Sequence, residues 1–401
     1  MLSKLLILLI TLSLSEVYAL DCDYYSTRTI VMLDDAEGLN RNHQTCQGLS
    51  ESTGVDGETH LFTAARFNSI ESLQWLISQD SKINHRNDYG QTAIFFITSA
   101  EAGKILLSQG ANITLKDRYG SSALSMSFEN DRLDLAHFFL DSGAQISSYD
   151  LNTASNYYKW ETLKFIASVA SEKEIQGEGE FFRTFSFYDQ MNRDLAAEFI
   201  SKGADLNKAR LISSQKSLLQ SYVEDYVLHT TQFQRFGTAA IEFLVKNGAH
   251  TNQNFARKGK SLIAYLLTKQ DFETNNQLLD LFLSNGLKLD SVRAGKTLLM
   301  ELAFYSQRTE NEKLYIEKIA KRLLQLNANP NIQGEGGLTA LHHAIRWENI
   351  SLAKVLIEGG IDLQLKDHRG LTAKAYALER LEQTPDHGQK LRLVNMIRMM
   401  K

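Results

Sequence analysis

The sequence predicts an all-α solenoid of about nine stacked helix-pair repeats, irregular in the middle and closed by N- and C-terminal caps. Three observations predict it. The first is a returning phrase: Leu107-Ser108-Gln109-Gly110-Ala111-Asn112, Leu140-Asp141-Ser142-Gly143-Ala144-Gln145, Ile200-Ser201-Lys202-Gly203-Ala204-Asp205 and Val245-Lys246-Asn247-Gly248-Ala249-His250. Such self-similarity marks a stack of one small unit, not a single core. The second is an entry phrase, a turn glycine followed by Thr or Ser and then apolar residues, as in Gly90-Gln91-Thr92-Ala93-Ile94 and Gly295-Lys296-Thr297-Leu298. The third is spacing. Gly57 to Gly90, Gly110 to Gly143 and Asn327 to Gly360 are each 33 residues.

The chain begins with a leader. Lys4 supplies one positive charge, Leu5 to Leu14 is apolar but for Thr11 and Ser13, and Val17-Tyr18-Ala19 suits a signal peptidase. Residues 1–19 are therefore expected to be a cleaved signal peptide. A membrane anchor needs about 20 apolar residues, and Glu16 interrupts too early. The mature chain is expected to have no membrane span and to be exported, with a bacterial periplasm favoured over secretion. Residues 20–55 form a front cap. Cys22 and Cys46 lie there, 24 residues apart, and a bridge between them would stabilise by on the order of 3 kcal/mol in an oxidising compartment. Two free thiols are the alternative, and a lipid anchor at Cys22 fits poorly after Asp21.

Regular repeats occupy 56–149, each reading turn, helix, loop, helix, exit. The exit glycine suits the left-handed residue past a helix C-terminus. Apolar residues before it, such as Ile105, Leu106 and Leu107, form the buried stripe. The entry Thr or Ser suits a helix N-cap. Residues 150–322 hold degenerate or extended repeats: Gly143 to Gly203 is 60, Gly203 to Gly248 is 45, Gly248 to Gly286 is 38 and Gly286 to Asn327 is 41. The excess falls in 208–237 and near Ser306 to Lys313. Regular repeats return over 323–380. A capping helix closes 381–401, where Leu391, Val394 and Ile397 fall three apart.

The segment Asn331 to Asp362, with Gly337-Leu338-Thr339-Ala340-Leu341-His342-His343-Ala344 and Leu352-Ala353-Lys354-Val355-Leu356-Ile357-Glu358-Gly359-Gly360, resembles the ankyrin repeat family. Asp117 and Asp367 match the family's hairpin aspartate, and Asn87 stands in for it one unit earlier. The helix-starting proline is missing, since the only prolines are Pro330 and Pro385. The resemblance implies that hairpin tips and first helices line a concave face used for protein recognition. Tip residues would be Arg86, Asp88, Tyr89, Lys116, Arg118, Tyr119, Arg257, Lys258, Arg293, His368 and Arg369. Arginines with tyrosines are enriched at binding hot spots and suit an acidic partner. A solvated surface of mixed sign is the plain alternative. On the first helices, Arg66, Phe67, Phe128, Arg346 and Trp347 face the groove or pack between units.

Composition and motifs point away from chemistry. The 401 residues are 43% hydrophobic and 22% charged, with a net charge of −4, and lack the clustered basic excess of a nucleic-acid binder. His342 holds the family's helix-starting histidine position, and adjacent helix residues such as His342 and His343 do not share a face. These two and His60 are expected to be structural, with no metal or cofactor. Gly334-Glu335-Gly336-Gly337 lacks the Lys-Ser or Lys-Thr of a phosphate loop and reads as a hairpin tip. Nothing local supports a Ser–His–Asp triad, although such groups assemble from distant positions. The aromatic run Phe181 to Tyr188 is expected to fill a core. Together these predict a non-enzymatic, monomeric module that binds a folded protein. The alternatives are an immunity-type inhibitor of a toxic periplasmic enzyme, and an enzyme with its site in the irregular centre.

Overall fold

The computed structural model describes residues 23–400, apart from 47–48, 50–52, 212–214, 229–237, 253, 256–259, 270, 293–294 and 306–308. Residues 1–19, expected to be a signal peptide, and Cys22, Arg257, Lys258 and Arg293 lie outside the described residues. Among those described are twenty-one α-helices and one two-residue strand pairing, Asn254–Phe255 against Lys260–Ser261. No described helix is long and apolar enough to cross a membrane. The chain divides after Thr184 into two compact units.

The first unit opens with α1 (Tyr24–Met32) and α2 (Ala36–Thr45), capped by Asp23 and Asp35, whose carboxylates each accept a backbone N–H at 2.7 Å. Cys46 follows, 5% exposed. The helix pairs come next: α3 (His60–Phe67) with α4 (Ile70–Ser78), then a four-residue 3-10 turn (Ala93–Phe96) with α5 (Ala100–Ser108). They continue as α6 (Ala123–Glu129) with α7 (Leu133–Asp141), and α8 (Ser148–Asn156) with α9 (Trp160–Val169), followed by α10 (Glu172–Ile175). First helices pack on first helices, from α1 through α3, the 3-10 turn and α6 to α8. Phe62, Leu73, Leu76, Leu106, Phe139 and Leu163 are buried between the rows, each worth about 1.5–3 kcal/mol of transfer free energy.

The second unit runs α11 (Gln190–Ser201), α12 (Leu218–Leu228), α13 (Ala239–Lys246), α14 (Leu262–Leu266), α15 (Phe272–Ser284), α16 (Leu298–Glu301) and α17 (Glu310–Gln325). It ends with α18 (Ala340–Arg346), α19 (Ile350–Glu358), α20 (Ala373–Gln383) and α21 (His387–Met399). Its irregularity has a simple form. First helices α14 and α16 are short and finish as 3-10 turns, while their partners lengthen to 13 residues in α15 and 16 in α17. The extra residues between Gly286 and Asn327 thus extend the second helix, beginning at the Thr309 cap.

Local chemistry explains the repeat. Gly110, Gly143, Gly203, Gly248, Gly286 and Gly360 leave their helices at φ 79 to 94°, a region that penalises any Cβ. Ser122, Ser261, Thr297, Thr339 and Thr372 accept from backbone N–H groups of the helix they start, whereas Thr59 and Thr92 make no such cap. Asparagines then stitch consecutive exits together. Asn84 donates to the Gly110 carbonyl at 2.9 Å, Asn207 to Gly248 at 3.0 Å and Asn252 to Gly286 at 2.6 Å.

The glycine-rich segment at 334–337 is a hairpin tip. The Glu335 N–H donates to the Gly295 carbonyl at 2.8 Å, and a Cβ on Gly334 would stand 2.1 Å from that same oxygen. The glycine therefore permits close approach of two tips. Gly334→Ala is expected to destabilise by about 1–3 kcal/mol, because backbone must move to admit the methyl. Urea unfolding measures it, with Tyr157→Ala, at an exposed side chain, expected within about 0.5 kcal/mol of the parent.

Candidate protein-binding surface

Each hairpin is shaped by one side chain. Asp117 Oδ1 accepts the Tyr119 and Ser121 N–H groups at 2.9 Å, and Asp367 Oδ1 accepts those of Arg369 and Leu371 at 2.9 Å. Asn87 Oδ1 does the same for Tyr89 at 3.1 Å and Gln91 at 2.9 Å. Burial pushes the Asp367 pKa up, but the Leu371 and Arg369 N–H groups and the Arg369 guanidinium outweigh it and hold the pKa below its ordinary value. The turn then offers the residues beside the aspartate to solvent.

Backbone bonds join the tips into a strip. In the first unit Asp88 N–H donates to Asp56 O and Arg118 N–H to Tyr89 O, both at 2.9 Å; in the second, His368 N–H donates to Gly336 O at 2.9 Å. Arg86, Asp88, Tyr89, Lys116, Arg118 and Tyr119 are all exposed, Tyr119 at 72%. Arg86 donates to the Lys116 carbonyl, crossing from one tip to the next. His368 and Arg369 belong to the second unit. Arg369 is engaged there by Asp367 at 3.1 Å, Glu379 at 3.0 Å and the Tyr376 ring at 5.3 Å.

The first-helix residues divide. Arg66 is tied to Glu58 by two bonds of 2.7 and 2.9 Å and lies over the Phe96 ring at 4.4 Å, while Phe67 is exposed. Phe128 is buried and packs toward Phe165 at 6.1 Å. Arg346 is exposed, and Trp347 is half exposed with its ring 4.8 Å from Phe304. The aromatic run is core: Phe181 and Phe182 in the first unit and Phe185 and Phe187 in the second are buried.

The histidines sit inside. His342 Nδ1 lies 2.9 Å from the Thr339 hydroxyl and Nε2 lies 3.2 Å from the Leu371 carbonyl, so it braces the start of α18 against the following hairpin. His343, on the other side, has neither ring nitrogen hydrogen-bonded. His60 is buried with its ring stacked 4.6 Å from Tyr24. Among the described residues no group of three or more His, Cys, Asp or Glu is placed to hold a metal ion.

Sequence reasoning missed a notch. Because the second repeat's first helix is reduced to Ala93–Phe96, a cavity of about 310 Å³ opens between Phe95, Phe96, Met126, Arg132 and Phe139. The signal was available. Gly90 to Gly120 is 30 residues, three fewer than the repeat unit.

A family model for ankyrin repeats matches residues 61–150, 254–367 and 312–384, together more than half of the chain. The chain is 36% identical over 117 residues to rabankyrin-5 of Mus musculus, and 34% identical over 109 residues to that of Homo sapiens. Those matches cover 27% and 26% of this chain but only 10% and 9% of the relatives. An ankyrin repeat-containing protein of Treponema pallidum (strain Nichols) is 29% identical over 107 residues, covering 26% of this chain and 33% of its own. The chain thus spans a third or less of the curated relatives it matches.

Proposed function

Because the chain belongs to the ankyrin repeat family, whose repeats are generally protein-interaction modules, we propose that the protein is an exported, non-enzymatic binding module that grips one folded protein through its hairpin tips. One observation carries the choice of surface. In the first unit, Arg86, Tyr89, Lys116, Arg118 and Tyr119 stand exposed on tips that backbone bonds hold in line. Such a strip binds without first ordering its backbone, which lowers the entropic cost of association. Four cationic or aromatic groups flank Asp88 and Arg118 at its centre, so the partner surface is acidic, with charge chiefly raising the association rate. Arg369, held by two carboxylates, contributes less.

The module acts as a monomer in an oxidising compartment, favoured as the periplasm, after loss of residues 1–19. A Cys22–Cys46 bridge there would fasten the front cap. Mass spectrometry of the non-reduced mature chain tests both export and bridge: a start at Leu20 and a mass two hydrogens short are expected.

Affinity capture with the mature chain is the test of function. Arg86→Glu together with Arg118→Glu is expected to abolish capture of a stoichiometric partner, leaving the unfolding midpoint within the range of ordinary surface changes, about 0.5 kcal/mol. Unchanged capture removes the tips from the reading.

A further inference from the structure

A second basic cluster lies on the first helices of the second unit, where Phe304 is the hub. Lys296 Nζ lies 5.5 Å from the centre of its ring, the Trp347 ring 4.8 Å away and the His343 ring 6.0 Å away. Lys296, just before the Thr297 cap, and Phe304, at the end of the 3-10 turn Leu302–Phe304, come from one repeat. His343, Arg346 and Trp347 come from the next, on α18 and at its C-cap. Repeat stacking alone brings them together.

The positive charge here has no answer within the described residues. Among the described residues the Lys296 ammonium, 5.5 Å from the centre of the Phe304 ring, and the exposed Arg346 guanidinium have neither ion pair nor hydrogen bond. Carboxylates on the same elements are engaged by other groups, Glu301 while lining a small cavity together with Lys296. Glu301 accepts from the Ser261 N–H at 2.7 Å and from its hydroxyl, and Glu348 pairs with Arg392 at 2.7 Å and Arg380 at 3.8 Å. His343 lies one layer beneath, 3% exposed, with both nitrogens unpartnered. Every charged or titratable group felt at that ring is basic: Lys296, Arg346 and His342.

We propose that this face seats an Asp or Glu side chain of the protein partner, the carboxylate held by Lys296 and Arg346 with Trp347 and Phe304 as its apolar floor. The inference rests on the protein-binding reading and adds a second contact, chemically of the same kind as the tips. Charge-assisted bonds to a carboxylate are about twice as strong as neutral ones, and Trp with Arg is the pairing enriched where interface energy concentrates. His343 takes no part in contact. Burial first, and then its basic neighbours, push its pKa down to about 4, so a carboxylate overhead would raise it through the field alone. The buried imidazole becomes a built-in reporter of occupancy.

The test uses the full mature chain with isotope-labelled histidine, titrated with oligoglutamate near 0.15 M salt and observed by NMR. Saturable binding is expected, with the His343 titration moving toward neutral pH. Lys296→Gln with Arg346→Gln should weaken binding at least tenfold, Trp347→Ala should weaken it as well, and Arg346→Lys should retain most of it. Arg86→Glu with Arg118→Glu should leave the His343 response unchanged. Circular dichroism confirms that each variant is folded, and these side chains reach the surface, so folding should survive. An unmoved His343 titration, or unaltered affinity in the Lys296/Arg346 variant, overturns the proposal. So does an equal response to inorganic phosphate, which would make the face a general anion site. Loss of this response with partner capture intact sinks only this inference. Loss of capture with the response intact sinks the tips instead.

Discussion

Lowering the pH from 7 to 4 is expected to destabilise each unit by about 3 kcal/mol chiefly through one buried histidine, His60 in the first and His343 in the second, with the buried His342 adding to the second in the same direction. Both side chains are 3% exposed or less. Burial, then Arg28, pushes the His60 pKa down to about 4; burial, then Lys296, Arg346 and His342, does the same to His343. The sign follows from which state takes the proton. An unfolded histidine protonates near 6.5, while the folded one refuses the proton until about 4. Stability is therefore whole above 6.5, falls across that window and stops falling below 4. Asp367 works in the same direction but lower on the pH scale, since its lowered pKa keeps its contribution intact until the pH nears the ordinary carboxylate value and lets it go only below that. Urea midpoints at pH 7, 5.5 and 4.5 measure the loss. His343→Leu should flatten the pH slope of the second unit and leave that of the first. A slope that survives both His60→Leu and His343→Leu would assign the acid lability to other groups.

Those histidines also show what the sequence could and could not convey. The spacing and the turn chemistry were legible, because the exit glycine, the cap hydroxyl and the hairpin Asp or Asn each act within four residues of themselves. Asp117, Asp367 and Asn87 make the same bonds for that reason. The burial of Phe181 to Phe187 was legible as well, since few surfaces tolerate four phenylalanines in seven residues. What depends on neighbouring repeats was hidden. The sequence sets His342 and His343 on different faces, but not what each face meets: one braces a hairpin and the other faces Phe304 of the preceding repeat. Arg66 and Arg346 both lie in the last turn of first helices, but Glu58 engages the first while no described residue pairs with or hydrogen-bonds the second. The shortened helix at Ala93–Phe96 was readable in length, three residues under the unit, but not as a cavity. Its shape depends on Met126 and Phe139 of the next repeat declining to fill the gap.

The irregular middle is no weaker for being irregular, and Phe282→Ala should show it. Phe282 is fully buried in α15, which packs against α13 on one side and the 16-residue α17 on the other. Truncation to Ala removes an aromatic ring from a site that regular helices on both sides prevent from collapsing. The expected cost is about 3–5 kcal/mol, transfer term and cavity together. In a stacked array each repeat is stabilised largely by its neighbours, so the loss should not remain local. The α15 repeat would open first, and the second unit, expected to unfold in one cooperative transition in the parent, should split into two steps in urea. Hydrogen exchange should place the early step in α13 to α17, with α18 to α21 protected for longer. A single transition displaced by less than about 1 kcal/mol would mean that the long helices repack around the void. The middle would then be a loosely packed spacer, and the cluster around Phe304 would lose the rigid footing that lets it hold a carboxylate in place.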